Sequence, residues 1–229
     1  MIKIENIDVY GFEAAIRGAR NPMNSWHLMD SCTNNGEFEI GEKDYDLLRR
    51  LTIAGPEHRK WNRMVTVTMD ITAPLYWWKE YDTYKVGTVA NSCSTMHKIQ
   101  AKEFTLDDFS HDHLYEEKDG WIEDENGYKW CCAPTCLETT VNTLNAYRYQ
   151  YNKTKDKKYW WAMIQLLPTS YNQKRAVHLN YETLGAMYRQ RKHHKLTEWV
   201  DFCRMIEELP YSEFITMKFG VLKHKGGLI

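Results

Sequence analysis

The sequence lacks most of what would direct a chain into a membrane, out of the cell or onto a polyanion. No uninterrupted apolar run approaches the ~18 residues of a membrane helix. The opening MIKIENIDVYGF has no basic region followed by an apolar stretch, so no secretory leader is expected and the expected location is cytoplasmic. A formal net charge of −1 gives no global pull toward nucleic acid or an anionic membrane surface, and neither is expected as a partner. Internal repeats and low-complexity tracts are absent as well.

A standard metal pattern is also missing, although cysteine is not scarce. In a cytoplasmic setting Cys32, Cys93, Cys131, Cys132, Cys136 and Cys203 are expected to be reduced. Cys131, Cys132 and Cys136 cluster, with His111 and His113 upstream. CCxxxC is not a zinc spacing, and the simpler reading is a helix N-terminus carrying partly buried thiols. No metal is expected.

What is present is a chain of 229 residues, 43% hydrophobic and 27% charged, in the range of an ordinary globular protein. Aromatics reach 14%, with nine Trp and fifteen Tyr, which suits a large core, stacking sites or interfaces. IKIENIDVYGF alternates and reads as an opening strand, and GARNPMNSW reads as loop. EKDYDLLRRLTIAGP reads as a helix that Gly55–Pro56 stop. RMVTVTMDI alternates, with Val65, Val67, Met69 and Ile71 on one face, and reads as a strand. Ala73–Pro74 then opens a helix, with Pro at its first position.

Further on, residues 119–130 read as a surface hairpin or loop, and Leu137–Tyr151 as a helix. Tyr159–Pro168 reads as a buried helix, SYNQKRAVHLN as a strand, and Tyr181–His193 and Leu196–Leu209 as helices. The fold class is α+β, with more helix than strand.

The stretch YWWKEYDTYKVGTVANSCSTMHK, from Tyr76 to Lys98, fits neither core nor linker. Trp77, Trp78 and Tyr81 either stack on a ligand ring or fill the core behind the following segment, and core filling is the expectation. Gly87, Thr88, Asn91, Ser92, Ser94 and Thr95 read as a loop of neutral donors with small side chains, able to approach a phosphate closely.

Residues 73–95, APLYWWKEYDTYKVGTVANSCST, resemble the signature region of the flavin-dependent thymidylate synthases, the ThyX family. That pattern is an AP-initiated aromatic helix followed by RHRxxSxNExSxR. Laid on this chain, Thr83, Tyr84 and Lys85 stand for Arg-His-Arg, Thr88 for Ser, Ala90 and Asn91 for Asn-Glu, Cys93 for the later Ser and Thr95 for the final Arg. Downstream, Leu167–Pro168, Asn180 and Arg191 match an LP, a strand ending in Asn and a helix ending in Arg. The resemblance spans roughly residues 42 to 209.

The resemblance implies one ThyX-like domain over residues 1–229, with a central, mainly antiparallel sheet and several packed helices. It implies a homotetramer binding FAD and a pyrimidine deoxynucleotide monophosphate between subunits, with NADPH and methylenetetrahydrofolate as co-substrates. The cofactor residues would be Thr83, Tyr84, Lys85 and Asn180, with His58 and Arg59 of PEHRKW. The substrate residues would be Glu80, Thr88, Asn91, Cys93, Ser94, Thr95 and Arg191. Arg191 would also be the catalytic position, reading the base edge. Its spacing from Leu184 and Tyr188 turns it inward on a helix. The reaction implied is transfer of a one-carbon unit to C5 of dUMP or a related nucleotide. Hydroxymethylation of another deoxypyrimidine monophosphate, and non-catalytic flavin or nucleotide binding, are the alternatives.

The chain departs from the family at the phosphate. Thr95 cannot pair bidentately as a guanidinium does, and Met163–Ile164 stand where the family carries an Arg before the LP. Replacement cations would come from Arg17, Arg20, Arg59 or Lys174–Arg175. Cys93 has no neighbours that argue for an activated nucleophile.

Overall fold

The computed structural model describes residues 2–117 and 119–219. The chain opens with strand β1 (Lys3–Tyr10) and helix α1 (Phe12–Arg20). Part of that helix was expected to be loop. FEAAIRGAR nevertheless carries helical spacing, with Phe12, Ala15 and Ile16 buried on one face. A short hairpin follows, β2 (Cys32–Asn34) and β3 (Glu37–Glu39), paired antiparallel with Asn34 opposite Glu37. Its turn is Asn35–Gly36, both with positive φ (51° and 87°), which the sequence signals directly as an Asn-Gly turn.

Helix α2 (Glu42–Ala54) stops at Gly55, as expected. Strand β4 (Thr66–Pro74) keeps the alternation read from sequence, with Val67, Met69 and Ile71 buried and their neighbours half-buried. Pro74 is not the first residue of the next helix. It ends β4 in extended conformation and caps α3 (Leu75–Tyr81). The expected loop of small polar residues is a strand, β5 (Thr88–Ser92), leading into a single turn, α4 (Thr95–Lys98). Backbone pairing overrides the weak strand propensity of Ala, Asn and Ser there.

The acidic stretch forms the antiparallel hairpin β6 (Trp121–Glu123) and β7 (Lys129–Cys131). The helices α5 (Ala133–Thr154) and α6 (Lys157–Leu166) come next. Of α6 only Met163 is fully buried and Trp161 is exposed, so this helix is less buried than its composition suggests. Strand β8 (Asn172–Asn180) and helices α7 (Tyr181–Arg191), α8 (Thr197–Glu208) and α9 (Glu213–Thr216) complete the described chain. The central sheet is antiparallel, in the order β1-β4-β8-β5. No helix among the described residues is long and apolar enough to cross a membrane.

The chain divides into two compact units. One comprises residues 2–3, Ile71–Thr83 and Asn91–Arg175, the other Ile4–Asp70, Tyr84–Ala90 and 176–219. In the first, Trp77, Trp78 and Tyr81 are buried, and a cluster forms from Ile99, Phe104, Phe109, Leu137, Val141, Leu144 and Met163. In the second, Trp61 meets Phe214 edge-on at 4.9 Å, and Trp199 meets Phe202 at 5.7 Å. Its Arg20–Asp44 pair is buried: Arg20 Nε donates to Asp44 Oδ1 at 2.6 Å, and the other carboxylate oxygen accepts from the Asp30 and Ser31 amides. Arg20 is therefore a structural residue and no longer a candidate phosphate cation. Arg17 is exposed and pairs with Glu13 one turn back at 2.8 Å.

Candidate active site

Helix α7 organises one group of candidate residues. β8 ends at Asn180, whose side-chain oxygen accepts the Thr183 N–H at 2.9 Å and caps the helix. The segment before β5 lies against this end. Gly87 has φ +78°, and a Cβ there would sit 2.7 Å from Thr183 Oγ1 and 3.0 Å from Asn180 Nδ2, so the approach requires glycine. Thr183 Oγ1 donates to the Val86 carbonyl at 3.4 Å, and the Thr88 hydroxyl donates to the Tyr84 carbonyl.

At the other end of α7, Arg191 is half-buried in a slot of rings. Its guanidinium carbon lies 5.5 Å from the Tyr84 ring centre and 4.8 Å from that of Trp199. Nε donates to the Tyr84 hydroxyl at 2.9 Å, and NH1 approaches His194 Nε2 at 3.0 Å. The Tyr84 hydroxyl in turn donates to Gln190 Oε1 at 2.8 Å. Guanidinium on an aromatic face is favourable by ~0.5–2 kcal/mol, and two faces fix the plane of the group. The inward orientation expected from periodicity is what the structure has. The slot walls, Trp199 and His194, were not read from sequence, because they belong to α8 and its approach, and no pattern links them to α7.

Arg59 meets the first turn of α7. Its Nε and NH2 donate to the two oxygens of Glu182 at 2.7 and 2.9 Å, a bidentate pair with both side chains mostly buried. The hydrogen bonds Arg59 donates to Glu182 raise its pKa against the cost of burial. Burial alone would raise Glu182, but Arg59, with Arg189 and Arg63 nearby, outweighs it and the carboxyl lies below its ordinary range. His58 and Lys85 are exposed.

The remaining candidates belong to the other unit. Thr83 donates from both its amide (3.1 Å) and its hydroxyl (2.7 Å) to the Glu80 carbonyl, closing the end of α3. Asn91 and Cys93 are exposed on and just after β5. The Cys93 amide donates to the Lys174 carbonyl at 2.9 Å, and its carbonyl accepts from Gln173 Nε2 at 2.8 Å. Ser94 Oγ accepts the His97 amide at 3.2 Å and lies 2.7 Å from His97 Nδ1, and Thr95 begins the turn it caps. Arg175 stands beside this strand end with its guanidinium carbon 4.2 Å from the Trp78 ring centre, donating to Gln173 at 3.0 Å and Asp82 at 2.8 Å. Trp77, Trp78 and Tyr81 fill the core, at most 2% exposed.

The structure thus gathers Tyr84, Thr88, Asn180, Arg191 and Arg59 around α7, and places Glu80, Thr83, Asn91, Cys93, Ser94 and Thr95 in the other unit. Cys132 is the buried N-cap residue of α5, as the helix-terminus reading implies. Among the described residues no group of three or more His, Cys, Asp or Glu side chains is arranged to hold a metal ion.

This architecture is the fold of the flavin-dependent thymidylate synthases, seen also in a nucleotide methylase. The chain is similar to ThyX from Helicobacter pylori, solved with FAD and dUMP. Identity is 16%, the match covers 93% of this chain and 96% of that one, and the TM-score is 0.64. It is also similar to the UMP/dUMP methylase PolB from Streptomyces cacaoi, solved with 5-Br dUMP. There identity is 15%, coverage 91% and 89%, and the TM-score 0.57. No family model matches the sequence. No curated protein matches it either.

Proposed function

We propose that this protein is a flavin-dependent enzyme transferring a one-carbon unit from methylenetetrahydrofolate, with NADPH as reductant, to C5 of dUMP or a related pyrimidine nucleotide. The observation that carries the reading is Arg191, held by Tyr84, Trp199 and His194 at the helix end where the family resemblance puts a base-reading arginine. The fold, shared over nearly the full length of both chains with a protein solved with FAD and dUMP, supports it. The substrate residues of this reading are Glu80, Asn91, Cys93, Ser94 and Thr95 from one unit and Thr88 and Arg191 from the other. The nucleotide is taken to lie between subunits, so these two sets need not meet within one chain.

The residues proposed for FAD fit it in part. The Asn180 oxygen is engaged by Thr183 and the Thr83 hydroxyl by Glu80. The exposed Lys85 ammonium and the Asn180 amide nitrogen are the groups left to meet a phosphate and a flavin edge. His58 and Arg59 lie at the Glu182 end of α7, and further positive charge would come from a neighbouring subunit. FAD, when bound, supplies the redox chemistry of the transfer. The protein groups bind and orient: Tyr84 fixes the plane of Arg191, and Arg191 presents N–H donors to O4 of a uracil.

The phosphate is where this chain differs. Thr95, Met163 and Ile164 supply no guanidinium, and each charged hydrogen bond lost costs ~1.5–3 kcal/mol. Arg175, held by Gln173 and Asp82, is the proposed substitute.

Calorimetry of dUMP, dCMP, dTMP and their nucleosides against the flavin-loaded protein tests the reading. Arg191→Ala should erase the preference among bases and weaken the preferred nucleotide at least tenfold. Equal binding with and without Arg191 overturns the base-reading role. Yellow protein with a band near ~450 nm is expected from bound flavin, whereas colourless protein that refuses FAD would leave only nucleotide binding. A homotetramer of a single ThyX-like domain is part of the proposal. A light-scattering mass near the 27.3 kDa of one chain would refute it.

A further inference from the structure

Cys132 is the N-cap residue of α5, so Cys131 is the residue before the cap and Cys136 is the fourth residue of the helix. Helix geometry brings these two positions together, and apolar pairs commonly meet there as a staple that fixes how the chain enters the helix. Here both members are cysteines. Their side chains are exposed, and the Cys136 amide donates to the Cys132 carbonyl at 2.9 Å in the first helical turn. Cys132 itself turns inward, with its sulfur 3.4 Å from Thr135 Oγ1.

We propose that Cys131 and Cys136 are a modification site: a dithiol that a small disulfide of the glutathione class converts to an intramolecular disulfide. The Cys131 thiolate attacks one sulfur of oxidised glutathione and releases one glutathione thiolate. Cys136, after losing its proton to solvent, attacks the Cys131 sulfur of the mixed disulfide and displaces the second glutathione thiolate. The protein dithiol loses two electrons and two protons, the oxidised glutathione gains the electrons, and one S–S bond is exchanged for another. The neighbouring Cys131 thiol pushes the pKa of Cys136 up, which fits it to the later, resolving role.

The consequence is local. Cys131 ends β7 and pairs with Trp121 of β6, and the Cys132 amide donates to the Gly120 carbonyl at 3.0 Å. A bond from Cys131 to Cys136 would fasten the base of this exposed hairpin to the first turn of a long helix. The loop it closes is short, so the effect falls on hairpin opening more than on global stability.

The test is thiol mapping of the full-length protein after equilibration with oxidised glutathione, alkylation and tryptic digestion. The peptide from Trp130 to Arg148 carries all three cysteines of the cluster. The wild type should keep one alkylatable thiol there, and Cys132→Ser should keep none while still forming the disulfide. Cys131→Ser and Cys136→Ser should form no internal disulfide. Oxidation should also slow tryptic cleavage after Lys129 severalfold in the wild type and not in Cys136→Ser. Three free thiols, mixed disulfides alone, or a disulfide that needs Cys132 would each overturn the assignment.

Discussion

Two aromatic-rich stretches in the same unit have opposite fates. YWWKEY, residues 76–81, buries Trp77, Trp78 and Tyr81 to 2% exposure or less. WIEDENGYKW, residues 121–130, leaves Trp121, Tyr128 and Trp130 exposed by 54%, 66% and 59%. Residue type does not separate them; what each is attached to does. Helix α3 continues directly from a buried strand, and its first amides donate to Tyr171 and Thr169 carbonyls at 3.0 Å, so it is drawn into the interior. Among the described residues the hairpin is two short strands with no third beside them, an arrangement marginal on its own. Local polar contacts hold it instead: Asp124 accepts from the Trp130 indole N–H at 3.0 Å and from the Asn126 and Tyr128 amides.

The largest test of this contrast is a pair of substitutions. Trp77→Ala should cost ~3–5 kcal/mol in urea unfolding, as large-to-small changes in a closed core do. Trp130→Ala should stay within ~0.5 kcal/mol, as for an exposed site. A Trp130→Ala cost comparable to that of Trp77→Ala would break the comparison.

A smaller effect comes from within the core. The Tyr81 hydroxyl is buried and has no hydrogen-bond partner among the described residues. Burial, with the neighbouring Asp82, pushes its pKa well above the ordinary phenol value. An unsatisfied buried hydroxyl costs ~1–3 kcal/mol, so Tyr81→Phe should be neutral or stabilising by up to ~1 kcal/mol. A loss of stability would reveal a partner for that oxygen.

The smallest effect is a local titration. The Asp124 carboxyl is held below its ordinary value, first by the Trp130 indole and then by the two amides. A depressed carboxylate contributes order above its unfolded pKa and loses it as pH falls through the folded one. The Trp130 indole N–H resonance should therefore shift on acidification below the usual carboxylate range, while those of Trp77 and Trp78 stay fixed. An unmoved Trp130 resonance would mean that Asp124 does not anchor the hairpin.

Sequence by itself determined the elements whose signal is local. The alternation of Val65 to Ile71 specified β4, the spacing of Leu184, Tyr188 and Arg191 turned the arginine inward, and the LP, Asn and Arg landmarks gave the order of the C-terminal half. Periodicity of 2 or 3.6 is written in neighbouring residues, so it can be read without the rest of the chain. The Asn35–Gly36 turn and the face of α1 carried equally local signals and went unread. Only tertiary structure decided the rest. β5 is a strand because a neighbour pairs with it, not because Thr-Val-Ala-Asn-Ser prefers to be one. Arg20 is a structural cation because Asp44 is buried beside it. Tyr84 lies 107 residues from the Arg191 it orients, and Arg59 lies 123 from Glu182. Burial, ion pairing and ring stacking depend on partners that distant, and no window along the sequence contains both.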